Sequence, residues 1–132
     1  MNQSKRRTIE QMRAKAAADY VNEAKNASGY GSYARRAGAL IQTQGLGQSL
    51  AFWRSKGWKN GQPKSNDAYA LLYRHISDWL KKQLKTEQSD ILQWIMHDAS
   101  TNDYRRATAE AQAFLIWLKR FAEAELGDNE NE

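Results

Sequence analysis

The stretch ARRAGALIQTQGLGQSLAFW, from Ala34 to Trp53, decides the fold of this chain. Two arginines and three glycines interrupt a sequence that is otherwise apolar and favourable for helix. Glycine loops that bind phosphate follow a strand and read G-x-x-x-x-G-K-[ST] or G-x-G-x-x-G. Here Gly45-Leu46-Gly47 follows a helical segment, and Gln48, not lysine, precedes Ser49. We therefore interpret Gly45 as the left-handed cap of one helix, and Gly47 as permitting close backbone approach where the next begins.

Helical periodicity continues on both sides of this corner, whereas strand patterns are absent. The one proline, Pro63, lies in a predicted loop at Lys56–Asn66. The predicted fold class is all-α, a compact single-domain bundle of about six helices over residues 1–126, followed by an acidic disordered tail at 127–132. The predicted helices are Lys5–Lys25 (capped by Ser4), Tyr33–Gln44, Leu46–Lys56, Asp67–Leu84 (capped by Ser65 or Asn66), Asp90–Asp98 and Asn102–Leu126.

Apolar residues at helical spacing predict the core. In the first helix the predicted stripe is Ile9, Met12, Ala16 and Tyr20. Five tryptophans suggest base stacking, but those of the later helices, Trp79, Trp94 and Trp117, lie on or beside predicted core stripes, which favours packing.

The charge distribution indicates a polyanionic partner. The chain has 132 residues, no cysteine and a net charge of +5. Residues 1–122 contain all 20 Lys and Arg but 10 of the 15 acids, which leaves +10, and the last ten residues carry −5. Nucleic acid is the best candidate partner, with an ordinary lysine-rich surface as the open alternative. No apolar run spans a bilayer and the N-terminus lacks a signal-peptide pattern, so we expect a cytoplasmic protein without a membrane partner.

Two sets of residues are candidates for binding. Cations near the glycine corner and on the outward face of the fourth helix suit non-specific contacts with phosphates, and the candidates for RNA binding are Arg35, Arg36, Arg54, Lys56, Arg74, Lys81, Lys82 and Lys85. On the last helix, small residues around an apolar side chain, edged by arginines, suit a protein interface, and the candidates there are Arg105, Arg106, Ile116 and Arg120.

One enzymatic alternative remains open. HD-type phosphohydrolases are all-helical and bind metals through a pattern H…HD…D, which His75, His97-Asp98 and Asp103 could supply. These are the two histidines of the chain, and His75 at a helix edge is expected to be a surface or half-buried side chain. No serine lies in a nucleophile elbow. We therefore expect no catalytic residue, no metal and no cofactor.

Two stretches together resemble a known family. ARRAGALIQTQGLGQSLAFWRSKG and YRRATAEAQAFLIWLKRFAEAEL are similar to the small α-helical subunit of the type III-B CRISPR RNA-guided effector, the Cmr complex. The first block matches at Gln44-Gly45-Leu46, Leu50-Ala51-Phe52 and Ser55-Lys56-Gly57. The second matches from Tyr104 to Ala124, with Gln112 and Ile116 at variable places.

The resemblance implies a non-catalytic, architectural role in antiviral defence. Several copies would form a filament along the guide RNA–target RNA duplex, beside the large backbone subunit. The implied partners are therefore other Cmr subunits, further copies of this chain, guide RNA and target RNA. Arg105 and Arg106 are motif positions, whether they contact RNA or protein. A stand-alone nucleic-acid-binding helical protein is the second alternative that stays open.

Overall fold

In the computed structural model, residues 7–127 form six helices and a two-stranded hairpin, which confirms the all-α prediction. The elements are α1 (Ile9–Glu23), α2 (Tyr30–Gln44), α3 (Leu46–Gly57), β1 (Trp58–Lys59), β2 (Gln62–Pro63), α4 (Ala68–Leu84), α5 (Ile91–His97) and α6 (Thr101–Leu126). The predicted tail at 127–132, except Gly127, and the predicted cap Ser4 lie outside the residues described.

The helix α1 begins later than predicted because Thr8 caps it. The Thr8 hydroxyl accepts a hydrogen bond from the Gln11 backbone N–H, and the Gln11 side chain accepts one from the Thr8 N–H. This capping box satisfies two backbone donors that a helix start leaves unpaired. This helix therefore starts at Ile9, and the predicted start at Lys5 lies outside the residues described.

The buried face of α1 also differs from the prediction. Its innermost residues are Ala17 and Val21, whereas Ile9 and Met12 are exposed and Ala16 and Tyr20 are only partly buried. The reason is that α1 packs along α6 through small alanine side chains. An alanine-rich helix has a weak apolar periodicity, so its few larger side chains were a poor guide to the inward face.

The glycine corner joins α2 to α3 without a loop. The Gly45 N–H donates to the Ile41 carbonyl at 2.7 Å and ends α2, and its own carbonyl accepts from the Ser49 N–H. Its φ of 92° is positive as predicted, but its ψ of 161° is extended, so the predicted left-handed cap is wrong. This backbone region is accessible essentially to glycine alone.

The next glycine contributes through its backbone donor. The Gly47 N–H donates to the Tyr104 hydroxyl at 2.9 Å, which ties the start of α3 to the start of α6. A Cβ at this position would lie 3.5 Å from that hydroxyl, an ordinary contact. The predicted need for close backbone approach at Gly47 is therefore wrong.

A hairpin replaces part of the predicted loop. Strands β1 and β2 are antiparallel, with Trp58 opposite Pro63 and Lys59 opposite Gln62. The turn residues Asn60 and Gly61 both have positive φ, 52° and 79°. Asn-Gly is the preferred pair for a turn of this type, so the sequence carried a hairpin signal.

The core lies where α4 and α6 face the other helices. α6 packs along α1 and α2, and α3 packs on α4. The close approach of α3 to α4 depends on Gly57, since a Cβ there would lie 2.5 Å from the Ala70 nitrogen. Large fully buried side chains include Leu46, Leu50, Leu72, Ile76, Leu80, Ile91, Phe114 and Leu118.

The prediction that the tryptophans of α4, α5 and α6 pack in the core is confirmed. Trp79 and Trp94 are buried, and Trp117 is partly buried against the core. Across residues 7–127, no helix combines the length and the apolarity that crossing a bilayer would need.

Candidate interaction surfaces

The H…HD…D hypothesis fails first at His75, which is fully buried in a polar cluster. Its Nδ1 lies 2.7 Å from the Tyr30 hydroxyl and its Nε2 lies 2.9 Å from the Glu23 carboxylate. The ring also stacks on Tyr20, with centroids 4.2 Å apart. The expected surface or half-buried position of His75 is therefore wrong, and both ring nitrogens already have partners.

The electrostatics of this cluster fix the His75 tautomer. Burial lowers the pKa of His75 to about 4, so the imidazole is neutral near pH 7. The Nε2–H then donates a hydrogen bond to the Glu23 carboxylate, and Nδ1 accepts one from the Tyr30 hydroxyl. Burial alone would raise the pKa of Glu23, but hydrogen bonds from Arg74 and His75 lower it, so this acid is ionised. His75 has no free lone pair for a metal.

The remaining members of the hypothesis are placed apart from His75. His97 is exposed at the end of α5, and Asp98 accepts a hydrogen bond from the Gln88 amide at 2.9 Å. Asp103 forms a capping box with Ser100 at the start of α6. In the described part of the chain, no three His, Cys, Asp or Glu side chains are grouped to hold a metal ion.

Two of the predicted RNA-binding cations, Arg74 and Lys81, line a groove of about 290 Å³ between the hairpin and α4, here called the hairpin groove. A third, Arg54 of α3, contacts residues that line it: its Nη1 lies 3.2 Å from both carboxylate oxygens of Asp90 and 3.1 Å from the Tyr73 hydroxyl. The guanidinium also lies over the Trp58 ring at 4.7 Å. Arg54 is therefore committed to joining α3, the hairpin and the α4–α5 connection.

Arg74 and Lys81, the two predicted cations that line the hairpin groove, are also paired. Arg74 forms an ion pair with Glu23 of α1. Lys81 donates to the Ser89 carbonyl at 2.7 Å and lies 3.7 Å from the Asp78 carboxylate. Acids thus compensate the charges of Arg74 and Lys81, whereas Lys64, which also lines this groove, is exposed.

The remaining cations of α4 are open to solvent. Lys82 and Lys85 are exposed, and neither has an acidic partner among residues 7–127. Lys85 ends the helix with a φ of 55°, and its N–H donates to the Lys81 carbonyl. The structure therefore separates the predicted α4 row into a paired half, Arg74 and Lys81, and an exposed half, Lys82 and Lys85.

A second and larger groove, of about 510 Å³, lies between α2 and α3 and is here called the aromatic groove. The Tyr33 and Tyr69 rings stack in it with centroids 3.9 Å apart, and Phe52 meets Tyr69 edge-on. Arg36 lies 5.8 Å from the Tyr33 ring, and the Lys56 Nζ lies 5.8 Å from the Phe52 ring. Two predicted RNA-binding cations, Arg36 and Lys56, thus lie beside the rings of one aromatic surface.

Arg35 points away from this groove although it is the neighbour of Arg36. Its Nη1 donates to the Gly127 carbonyl at 2.8 Å, which links α2 to the end of α6. The four cations predicted near the glycine corner therefore divide: Arg36 and Lys56 flank the aromatic groove, whereas Arg35 and Arg54 connect elements of the fold.

The predicted protein-interface residues share one exposed face of α6. At 100° per residue, Arg105, Ile116 and Arg120 lie within 60° of one another on that face, with Arg106 at its edge. Ile116 is 61% exposed, one of the two most exposed large apolar side chains of the described residues. Arg106 and Arg120 have ion pairs one turn away, with Asp103 and Glu123. Ile116 is exposed, and the use of this face as a protein interface stays a prediction.

Sequence reasoning missed the aromatic groove. It considered the tryptophans as stacking residues and passed over Tyr33 and Phe52, which flank the glycine corner in sequence. The sequence did contain a signal, which was the spacing of these rings from the cations. Tyr33 and Arg36 are three residues apart and Phe52 and Lys56 are four apart, so each pair lies on one face of its helix. The contribution of Tyr69 from α4 could not be read from that pattern.

Comparison with known proteins identifies the family. The model of the family described as CRISPR-associated protein (Cas_Cmr5) matches residues 9–125. A curated relative, CRISPR system Cmr subunit Cmr5 of Thermus thermophilus, is 33% identical over 122 residues, which are 89% of this chain and 96% of the relative.

A solved structure agrees with the sequence comparison. The crystal structure of a CRISPR-associated Cmr5 family protein from Thermus thermophilus superposes with a TM-score of 0.64 at 27% identity, and the alignment covers 93% of this chain and all of that one. The family match extends over both glycine-corner helices and the whole of the last helix but one residue. The chain therefore belongs to the Cas_Cmr5 family of CRISPR-associated proteins.

Proposed function

We propose that this chain is a non-catalytic structural subunit of a type III-B CRISPR ribonucleoprotein, the Cmr complex, in antiviral defence. The observation that carries the proposal is the family match over residues 9–125, supported by a relative named as a Cmr subunit. The partners are other Cmr subunits, especially the backbone subunit, and neighbouring copies of the same chain. Guide RNA and target RNA are the nucleic-acid partners, and the complex works in the cytoplasm.

The proposed contact with RNA is electrostatic and follows the sugar–phosphate backbone of the guide–target duplex. Four of the candidate cations have no acidic partner among residues 7–127, namely Arg36 and Lys56 beside the aromatic groove and Lys82 and Lys85 on α4. A cation without a carboxylate partner gives its full charge to a phosphate. Arg54, Arg74 and Lys81 are already compensated, and we assign them to the fold instead.

The proposed contact between copies uses the exposed face of α6. Ile116 is an exposed apolar side chain on the same helix face as Arg105 and Arg120, with Arg106 at the edge of that face, so the face combines an apolar residue with charged ones as interfaces do. A head-to-tail contact between different surfaces of like subunits gives a filament and not a closed dimer. Replacing Ile116 by Glu should therefore reduce filament length in the assembled complex, whereas Met96→Glu, at an equally exposed position on α5, should not.

Paired charge reversals test the RNA contact. In the assembled complex, Arg36→Glu with Lys56→Glu should weaken binding to the RNA duplex whatever its sequence, and the same holds for Lys82→Glu with Lys85→Glu. The dependence of log affinity on log salt should flatten by roughly 0.7 to 0.9 for each lost phosphate contact. If neither pair changes RNA affinity and one prevents assembly, the positive charge serves protein neighbours and the RNA part of the proposal is wrong.

The absence of catalysis is tested directly. Incubation of the pure protein with RNA, DNA and phosphomonoesters in the presence of Mn²⁺ or Ni²⁺ should give no turnover. Hydrolysis that disappears in His97→Ala or Asp98→Ala would replace the structural proposal by the phosphohydrolase alternative.

A further inference from the structure

The aromatic groove has the shape and composition of a site for a flat ring. Its volume of about 510 Å³ lies within the range of small-ligand sites. Tyr33 and Tyr69 lie in it as a parallel stack, and Phe52, which is 37% exposed, meets Tyr69 edge-on with ring centroids 6.0 Å apart. Leu40 and Trp53 complete the apolar lining. An exposed aromatic ring such as Phe52 is a platform on which another π-system can stack.

The charged residues that line the aromatic groove or lie over its rings are cations. Arg36 lines it, Lys56 lies over the Phe52 ring, and neither has an acidic partner in the described part of the chain. None of the residues that line the aromatic groove is acidic. The hairpin groove differs, because Asp78 and Asp90 lie in its wall. An anionic occupant is therefore favoured in the aromatic groove and not in the hairpin groove.

The geometry points to an unpaired nucleobase of single-stranded RNA as the occupant, and this inference rests on the proposed RNA-binding function. We propose that the base stacks on the exposed Phe52 ring and meets the tyrosine pair edge-on, while the phosphates on its two sides lie by Arg36 and Lys56. A base has a π-face on either side, and the phosphates next to it supply negative partners for the two cations. An aliphatic protein side chain would leave both cations without a counterpart.

The experiment compares binding of intact and abasic RNA to the full-length protein by fluorescence anisotropy. The probes are a short oligoadenylate, the same oligomer with abasic sites, and an RNA duplex of matched length. The oligoadenylate should bind about tenfold or more tightly than its abasic form, because stacking on the groove is lost with the base.

Variants of Phe52 then locate the contact. Phe52→Ala should weaken binding of oligoadenylate about 5- to 10-fold and leave binding of the duplex and of the abasic oligomer unchanged, while Phe52→Trp should restore it. Met96→Ala is the control, since it removes another exposed apolar side chain, 60% exposed, that does not line this groove. Phe52→Ala retains the fold if its unfolding midpoint matches that of the control.

Three results would overturn the inference. Equal affinity for abasic and intact oligomers would show contact with phosphates alone, and equal losses in Phe52→Ala and Met96→Ala would show no particular role for the groove. Unchanged RNA binding by Phe52→Ala together with failure to enter the assembled complex would make the groove a protein interface. In each of these cases binding of the duplex separates the two proposals: if the duplex binds, only the nucleobase site is wrong, and if it does not, the proposed RNA-binding function is wrong as well.

Discussion

The buried His75 should make the stability of this protein depend on pH. The perturbation is acidification from about pH 7.5 to about pH 4.5, which protonates histidine in the unfolded chain but not in the folded protein. The pKa of His75 is lowered from 6.5 to about 4, so the unfolded state binds more protons between these values. The stabilising contribution is complete above pH 6.5 and is lost as the pH falls toward 4.

The size of the effect follows from this shift. Because the pKa of His75 is lowered from 6.5 to about 4, the free energy of unfolding falls by about 3 kcal/mol once the pH lies below both values. Most of this loss, about 2 to 3 kcal/mol, occurs between pH 7.5 and 4.5. Glu23 acts in the same direction, because its lowered pKa is a stabilisation that is lost as the acid becomes protonated. The two groups reinforce each other, since the Glu23 carboxylate accepts a hydrogen bond from the neutral His75 ring.

Urea unfolding at the two pH values measures the effect. In His75→Phe, which keeps a ring stacked on Tyr20, the difference in unfolding free energy between the two pH values should fall by about 2 kcal/mol relative to the unaltered protein. His97→Phe is the control, because it removes the exposed histidine on α5 and should leave the difference unchanged. An equal pH dependence in His75→Phe and the unaltered protein would refute a neutral, buried His75.

Further predictions concern the glycine corner and the contact of α3 with α4, and urea unfolding of single variants measures each of them. Gly45→Ala should destabilise the fold by about 1–3 kcal/mol, because alanine is strained at a positive φ with an extended ψ. Gly47 lies in a helix and has room for a Cβ, so Gly47→Ala should be neutral or stabilising by up to about 1 kcal/mol. Equal losses of stability in the two variants would contradict the backbone conformations assigned to these glycines. Gly57→Ala should destabilise by about 1–3 kcal/mol since the added carbon meets the Ala70 backbone, and an unchanged unfolding midpoint would show that the helices can separate freely. Tyr104→Phe should cost about 1 kcal/mol through the lost hydrogen bond to the Gly47 N–H, and a variant as stable as the unaltered protein would show that this bond does not tie α3 to α6.

The sequence predicted the helices well because their ends carry local signals. Gly45 separates α2 from α3, and Gly127 ends α6 with a positive φ of 73°. The buried face of α6 combines Phe114, Leu115 and Leu118 with alanines at helical spacing, a pattern that indicates a helix. Asn60-Gly61 carried a hairpin signal too, but the two-residue strands beside it are too short for an alternating pattern.

The candidate sites were less predictable because they depend on contacts between distant parts of the chain. Nothing near His75 in sequence shows that Glu23 and Tyr30, 52 and 45 residues earlier, will surround it. In the same way, the α4 cations looked alike in sequence, but Arg74 meets the acid at Glu23, whereas Lys82 meets solvent. Helical spacing identifies which residues share a face, and only the packing of helices determines which charges are compensated.

The central claim, that this chain is a structural subunit of a CRISPR ribonucleoprotein, is tested most directly by purifying the tagged chain from its native host. Native mass spectrometry of the purified material should find several different proteins, more than one copy of this chain and a guide RNA in one particle. Recovery of the chain alone, free of other proteins and of RNA, would contradict the claim.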